Sequence, residues 1–376
     1  MQKALTGVVR SFMHYIYLKA GEWSPLLTKA DPERVDAALW GEDRHSAVLS
    51  KVAFLCDEMT WQDFKDNCDS IFLHPSKWRE QMELFRPDIF FCEAAWSGIQ
   101  MFDGVWRGRV YRDRRVLFDN RQILLEILNY CQSRGISTVF WSKEDPTYFQ
   151  HPVYDFTQTA LKFDIIFTTA QECVHLYEAL GHRRVYLLPF GVDTDRFCTY
   201  GVTPQPDTVV FAGSWFADQP QRCQDLERLL DFSIAQGWHL DIYDRKYSSR
   251  EKRFQFPKKY RSYIRPAVAY EMTPELFRRY EYGINVNTVV HSPTMCSRRL
   301  LQLAASGTTV LSNEAGVFST LSDCLDIWYA KEKGIIFAKG NAAEIERRYS
   351  IKKQFNKILD TIEEERERAI HGARMA

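Results

Sequence analysis

Thr208–Trp215 reads TVVFAGSW, an apolar run that stops on Gly213-Ser214. A run of Val, Phe and Ala without polar alternation suits a strand buried on both faces, as in a parallel sheet. A helical pattern follows around Gln221–Gln236, so the stretch is one strand–turn–helix unit. Downstream the pattern repeats as His239–Tyr243 (HLDIY), a helix at Pro274–Tyr280, Gly283–Asn287 (GINVN), a helix at Ser297–Ala305, then Thr309–Ser312 and Gly334–Phe337. Upstream come Val52–Cys56 (VAFLC), Asp88–Cys92 (DIFFC), Ser137–Trp141, Asp164–Thr168 and Val185–Leu188, with helical stretches Ile123–Arg134 and Gln171–Leu180 between them. The Pro189–Asp207 interval is rich in Pro, Gly and Asp, lacks periodicity and reads as a linker. The expectation is an α/β protein with two Rossmann-like doubly wound domains facing a central cleft: residues 1–190, a linker at 191–207, and 208–341. A charge-laced helical tail over about 342–376 is expected to pack back on the first domain.

Composition narrows the class. The 376 residues carry 49 Lys+Arg and 49 Asp+Glu, 45% apolar and 14% aromatic residues, which excludes disorder and collagen-like repeats. Exact charge balance argues against a dedicated nucleic-acid binder, since such affinity rests on clustered cations, although a local basic groove stays open. Nine scattered cysteines without zinc spacing read as reduced thiols of a cytoplasmic protein. The N-terminal stretch is broken by Arg10, His14 and Lys19 and reads as an amphipathic helix rather than a targeting signal. With no run of about 18 apolar residues, the chain is expected to be soluble, or peripheral at the inner face of the membrane.

In doubly wound sheets ligands bind beyond the carboxyl ends of the strands, so the loops there carry the chemistry. Gly213 and Ser214 let backbone N–H groups approach a phosphate, and Arg222 in the next helix can neutralise it; a plain tight turn is the alternative. Asp244 and Arg245 follow the next strand, where a solvated ion pair would look the same. Ser292–Gly307 (SPTMCSRRLLQLAASG) puts Arg298 and Arg299 in a helix's first turns, against the macrodipole, which calls for a counter-anion. A nucleotide diphosphate would supply it, and so would a buried carboxylate such as Glu314. In the first half, Asp57, Glu58, Glu93, Trp96, Lys143, Glu144 and Asp145 converge on one sheet edge. Each alone suits a helix cap. Together, carboxylates and an indole suit a polyhydroxylated ligand. Asp193-Thr194-Asp195 has the spacing of a metal-binding pair but no acidic neighbours, so no metal is expected.

Leu188–Phe197 (LPFGVDTDRF) resembles the interdomain signature of group 1 nucleotide-sugar glycosyltransferases of the GT-B fold. Phe140–Phe149 (FWSKEDPTYF), Phe211–Trp215 (FAGSW), Asp241–Arg245 (DIYDR) and Asn285–Gly307 resemble, in order, the branch typified by the spore maturation glycosyltransferase CgeB and related capsule or cell-surface glycan enzymes. The resemblance implies that the second half binds the nucleotide sugar, a UDP-sugar being favoured, with no cofactor. Gly213 and Ser214 would meet the diphosphate, Tyr243, Asp244 and Arg245 the base, and Ser297, Arg298 and Arg299 the phosphate and sugar. Asn287, Thr294 and Met295 complete the donor set. Gln302 stands where most relatives carry a Glu on the ribose diol, and Thr294 where many retaining enzymes carry another.

The implied activity is transfer of a sugar to a glycan or glycoconjugate acceptor in surface polysaccharide biosynthesis. The leaving diphosphate would be stabilised by Arg299 and its neighbours. A retaining reaction needs no strong protein base; an inverting one needs a carboxylate, Glu144 or Asp145 first. Gln302 motivates a second reading, a catalytically idle domain that binds glycan or organises a complex. A dinucleotide-dependent oxidoreductase is disfavoured, because no GxGxxG follows the first strand of this chain. Transfer measured in excess EDTA should match transfer without it; a strict divalent-ion requirement would return Asp193 and Asp195 to the site.

Overall fold

The computed structural model describes residues 8–15, 39, 50–331 and 334–375. Residues 8–15 are helical, and the rest of the expected N-terminal helix lies outside the described residues. Two compact units emerge: Met1–Pro189 with Phe355–Ala376, and Phe190–Gln354. Each is an α/β sandwich around its own sheet.

The first unit is built on strands β1 (Lys51–Leu55), β2 (Asp69–Phe72), β3 (Ile89–Glu93), β5 (Ser137–Ser142), β7 (Ile165–Thr168) and β8 (Val185–Leu187). They form a six-stranded sheet in the order β2-β1-β3-β5-β7-β8. All its pairings are parallel. The two-residue strands β4 (Arg112–Asp113) and β6 (Tyr154–Asp155) form a separate antiparallel ladder. Phe54, Phe91 and Val139 stand in register across β1, β3 and β5 and are buried, as both-face burial of a parallel sheet requires. Leu55, Cys92 and Phe140 are also in register, so the residues just after them, Asp57, Glu93 and Lys143, emerge at one edge.

The second unit contains β9 (Gln205–Gly213), β10 (His239–Asp244), β11 (Ile264–Arg265), β12 (Tyr280–Asn285), β13 (Thr309–Asn313), β14 (Leu325–Tyr329) and β15 (Ile335–Gly340). The order is β11-β10-β9-β12-β13-β15-β14, parallel except where β15 pairs antiparallel with β13 and β14. Gly213 and Asp244 are in register at the carboxyl edge. The helix Arg298–Ala305 lies directly on this sheet. A Cβ at Gly340 would fall 2.3 Å from the Ala304 carbonyl oxygen, and one at Gly283 would fall 2.3 Å from Leu303. Only the missing side chains allow that approach, and it fixes where Arg298 and Arg299 sit.

The tail differs from the single helix that its charge pattern suggests. It forms two helices, Ala342–Tyr349 and Ile351–Met375. Ser350 between them is extended and bridges Val192. Val192 donates to the Tyr349 carbonyl at 2.8 Å and accepts from the Ile351 N–H at 3.0 Å, so two backbone groups leave the helical ladder there. From Phe355 onward the helix belongs to the first unit, where Glu365 accepts from Tyr186 at 2.5 Å and pairs with Arg184 at 2.9 Å. Among the described residues no helix is long and apolar enough to cross a membrane. All nine cysteines are free thiols, and eight are buried.

Candidate functional site

Within the second unit, the end of β9 carries an arginine cluster. The Arg299 guanidinium lies over the Phe211 ring, 4.8 Å from its centroid, and its Nε donates to the Ala212 carbonyl at 2.9 Å. Phe211 and Gly213 share one face of the strand by its period of two. A Cβ at Gly213 would therefore strike Phe211 Cζ at 2.6 Å and Arg299 Nη2 at 2.8 Å. Arg222 reaches the same loop, donating from Nη1 to the Ser214 carbonyl at 3.1 Å and lying 5.1 Å from the Phe216 ring. The Arg245 N–H donates to the Gly213 carbonyl at 3.0 Å.

These cations repel one another. Burial pushes the Arg299 guanidinium down to about 9, with Arg222 and Arg245 pushing the same way. Burial pushes Arg222 down to about 10, with Cys223 pulling the other way and Arg245 adding a smaller downward push. A guanidinium stays protonated in proteins, so such shifts express an electrostatic cost, and an anion in the site would relieve it. No carboxylate is paired with Arg299 or Arg222 among the described residues, and Glu314 is not the partner of Arg299. Beside them the Ser214 hydroxyl is buried without a hydrogen-bond partner.

The other residues of the expected donor set divide by role. Asn287 is structural wiring: its Oδ1 accepts from the Ser297 N–H at 2.9 Å, and its own N–H donates to Asn313 at 2.8 Å, which ties the loop before Arg298 to the sheet edge. The Ser297 side chain makes no cap hydrogen bond, so it does not occupy the helix's first N–H groups. Thr294 and Met295 donate their N–H groups to the Ser292 hydroxyl at 3.3 and 3.0 Å. Asp244 accepts from the Lys246 N–H at 2.8 Å, and burial pushes its carboxyl up. Tyr243 meets the Tyr280 hydroxyl at 3.3 Å. Arg298 lies over the Phe190 ring, 4.6 Å from its centroid. Gln302 is buried and donates its amide to the Tyr270 hydroxyl at 2.9 Å. Phe211 as the platform for Arg299 and Tyr270 as the partner of Gln302 were not singled out from the sequence; the i, i+2 spacing of Phe211 and Gly213 was the available signal.

Within the first unit, Lys143 joins the loops after β1, β3 and β5. Its Nζ donates to Asp57 Oδ2 at 2.8 Å and to Glu93 Oε1 at 2.7 Å. Glu93 is fully buried and also accepts from the Asp57 N–H at 2.7 Å and from the Thr60 hydroxyl. Asp57 accepts from the backbone N–H groups of Trp96, Ser97 and Gly98, each at 2.9 Å. Burial would raise the Asp57 carboxyl, but Lys143 and these N–H groups hold it below the ordinary carboxylate range. Glu58 accepts from Gln62 and from the Gln100 N–H, each at 2.8 Å.

The two carboxylates after β5 part company. Asp145 is sealed, accepting from the Thr168 hydroxyl at 2.7 Å, and burial pushes it up to about 7. Glu144 stays partly exposed and accepts from the Trp96 indole N–H at 2.9 Å, and burial pushes it up as well. The Trp96 ring meets Tyr148, Phe156, Tyr111 and Tyr154 at 4.9 to 5.5 Å. The indole is thus held by aromatic edges while its N–H orients Glu144. The Asp193 carboxylate accepts from the Asp195 and Arg196 N–H groups at 3.1 and 3.2 Å, the geometry of a turn cap.

Lys143 makes a pH prediction possible. In the parent protein Asp57 is held low, so its stabilising share is complete above its unfolded value, about 3.9, and is lost as pH falls through the folded value. In Lys143→Met, Asp57 and Glu93 meet without a cation, the pair takes up a proton, and the sign reverses. Thermal melts should show the variant destabilised by about 3–5 kcal/mol at pH 7.5 and partly restored at pH 5. A variant equally stable at both pH values would contradict the assignment of Lys143 as their common counter-ion.

Comparison with known proteins bears on the second unit most directly. Residues 223–375 match the family model described as glycosyl transferase-like. No curated protein matches the chain. Solved structures of similar chain course include an alpha-glucosyltransferase in complex with UDP and a 13-mer DNA containing a HMU base. It is 10% identical with a TM-score of 0.45, and the match covers 70% of this chain and 79% of that one. The wall teichoic acid polymerase TagF, as its H444N variant, is 8% identical with a TM-score of 0.32, covering 82% and 78%. At these values nothing those proteins bind is carried over to this chain. One expectation is nonetheless corrected. Charge balance had set nucleic acid aside, but a protein of similar chain course was solved on DNA, and a zero sum says nothing about local surface. A nucleic-acid partner is not excluded. Over residues 223–375, less than half of its length, the chain is similar to the glycosyl transferase-like family, on an α/β scaffold with parallel sheets, and the enzyme class this supports is glycosyltransferase.

Proposed function

We propose that the protein transfers a sugar from a nucleoside-diphosphate sugar, a UDP-sugar being favoured, to a hydroxyl of a glycan or glycoconjugate, without a metal ion. The observation that carries this reading is the cluster of Arg222, Arg245 and Arg299 around Gly213, where among the described residues no carboxylate pairs with Arg222 or Arg299 and the Ser214 hydroxyl has no hydrogen-bond partner. A diphosphate brings the charge that this loop lacks. As the glycosidic bond to phosphate breaks, negative charge grows on the leaving oxygens, and preoriented guanidinium groups stabilise that charge more than the ground state. The Ala212 carbonyl, the Phe211 ring and the space left at Gly213 hold Arg299 in place for this, so little reorganisation is needed.

Retention suits a site in which the departing phosphate accepts the acceptor's proton. For inversion, Glu144 is the better-placed base: it is partly exposed, raised by burial and oriented by Trp96, whereas Asp145 is enclosed by hydroxyls. The motif order supports placing the chain in the CgeB-like branch and its product among surface glycans. The idle-domain reading draws on Gln302, a neutral amide already engaged with Tyr270.

Arg299→Ala separates these readings. Release of nucleotide from a panel of sugar nucleotides should fall by about 10²–10³-fold, the usual effect of deleting one such donor, with the melting temperature within a few degrees of the parent's because a repulsive charge is also removed. Unchanged turnover would overturn the phosphate assignment, and a parent protein that turns over no sugar nucleotide would favour the idle domain.

A further inference from the structure

The helix at residues 8–15 is amphipathic in the reverse sense. A helix on a water-soluble domain turns its apolar stripe to the core and its polar side to solvent. Here the polar side faces in. Ser11 is buried, and its hydroxyl accepts from the Leu117 N–H at 2.8 Å. Three residues on, the His14 ring lies 6.0 Å from Phe118 and close to Gly108, where a Cβ would fall 2.9 Å from His14 Cε1. Tyr15 meets the same Phe118 ring edge-on at 6.0 Å. At about 100° per residue, Val8, Val9, Phe12 and Met13 then occupy the opposite side, an arc of about 140°.

Those four side chains are 53 to 63% exposed, and Leu117, tied to the helix through Ser11, is 72% exposed. Single exposed apolar residues need no explanation, but several gathered on one helix and the loop beside it mark a contact surface. Charge says what kind of surface. The first 21 residues contain Lys3, Arg10 and Lys19 and no acid. Arg10 is exposed at the margin of the apolar arc, and Arg107, the chain neighbour of Gly108, is exposed as well; neither forms an ion pair among the described residues. The two acids that follow Gly108 in the supporting loop are taken up, Asp113 by Arg115 and Asp119 by Arg121.

We infer that the outward face of helix 8–15, together with Leu117, is a docking surface for an anionic lipid bilayer. The apolar side chains enter the acyl boundary, and Arg10 and Arg107 meet the headgroups. Eight residues rise only about 12 Å, so the helix lies in the interface and does not cross it. A second copy of the chain fits this face poorly, because it would set Arg10 and its neighbouring cations against their own kind. The inference does not depend on the sugar-transfer reading.

Flotation of the full chain with vesicles of phosphatidylglycerol and phosphatidylcholine, and with vesicles of phosphatidylcholine alone, tests this. Reversible binding to the anionic vesicles is expected, with binding to the neutral ones about tenfold weaker because the two arginines lose their counter-charge. F12S/M13S should weaken binding by at least about tenfold, since both side chains lose their transfer out of water. Arg10→Gln should weaken binding to the anionic vesicles about fivefold, the worth of one surface cation, and leave binding to the neutral ones unchanged. Leu117→Ser lies on a separate stretch of chain and should also weaken binding, which keeps the test decisive if the helix does not tolerate the double change. All three variants should keep the parent's melting temperature and its sugar-nucleotide turnover. Absence of flotation, equal binding to the two vesicle types, or unchanged binding by F12S/M13S and Leu117→Ser would overturn the inference. So would sedimentation showing a dimer that F12S/M13S converts to a monomer, which would assign the face to a second copy.

Discussion

The packing of Arg299 against the carboxyl end of β9 is the constraint on which the second unit's site depends. A guanidinium is brought onto a phenylalanine ring, bonded to a strand carbonyl and set within reach of two further arginines, with no acid to balance it among the described residues. Ordinary folding would place a carboxylate there, because even a part-buried cation loses hydration that an acidic partner would replace. The sheet instead leaves room: Gly213 offers no Cβ, and Gly283 and Gly340 let the helix that carries Arg299 settle on the strands. An anion supplied from solution is the economical explanation for so much uncompensated charge.

The first unit uses charge in the opposite way. Lys143 is matched by two carboxylates, and Asp57 is further matched by three backbone N–H groups, so this cluster is internally complete. Its work is to fix three loops at one sheet edge. What it holds in position is the partly exposed pair of Glu144 and Trp96, whose carboxylate and indole are ordered by each other and by the surrounding aromatic rings.

Much of this could be read from the chain. Continuous apolar runs located the buried parallel strands to within a few residues, because burial on both faces leaves little room for other residue types. β2 and β14 were missed for physical reasons: DSIF is a short edge strand that begins on polar residues, and LDIWY is a half-exposed edge whose stability comes from pairing with β15. The break at Ser350 escaped because it is made by a distant backbone, that of Val192, and not by a local breaker. At the sites, residue type and position pointed to the arginines and to the first-half carboxylates. Which carboxylates are spent internally, and that Arg299 lacks an acidic partner, depend on contacts between residues up to 87 positions apart. The charge total misled where it was read as a surface property, since residues 245–265 hold nine cations that are balanced by acids elsewhere in the chain.

The most direct measurement is calorimetric titration of the parent protein with nucleoside diphosphates, each compared with its own nucleoside. The account predicts that at least one diphosphate binds about 100-fold or more tightly than its nucleoside, the worth of roughly two charge-assisted hydrogen bonds, and that Arg299→Ala removes this difference. If every nucleoside binds as well as its diphosphate, the arginine cluster is not a phosphate site and the account fails.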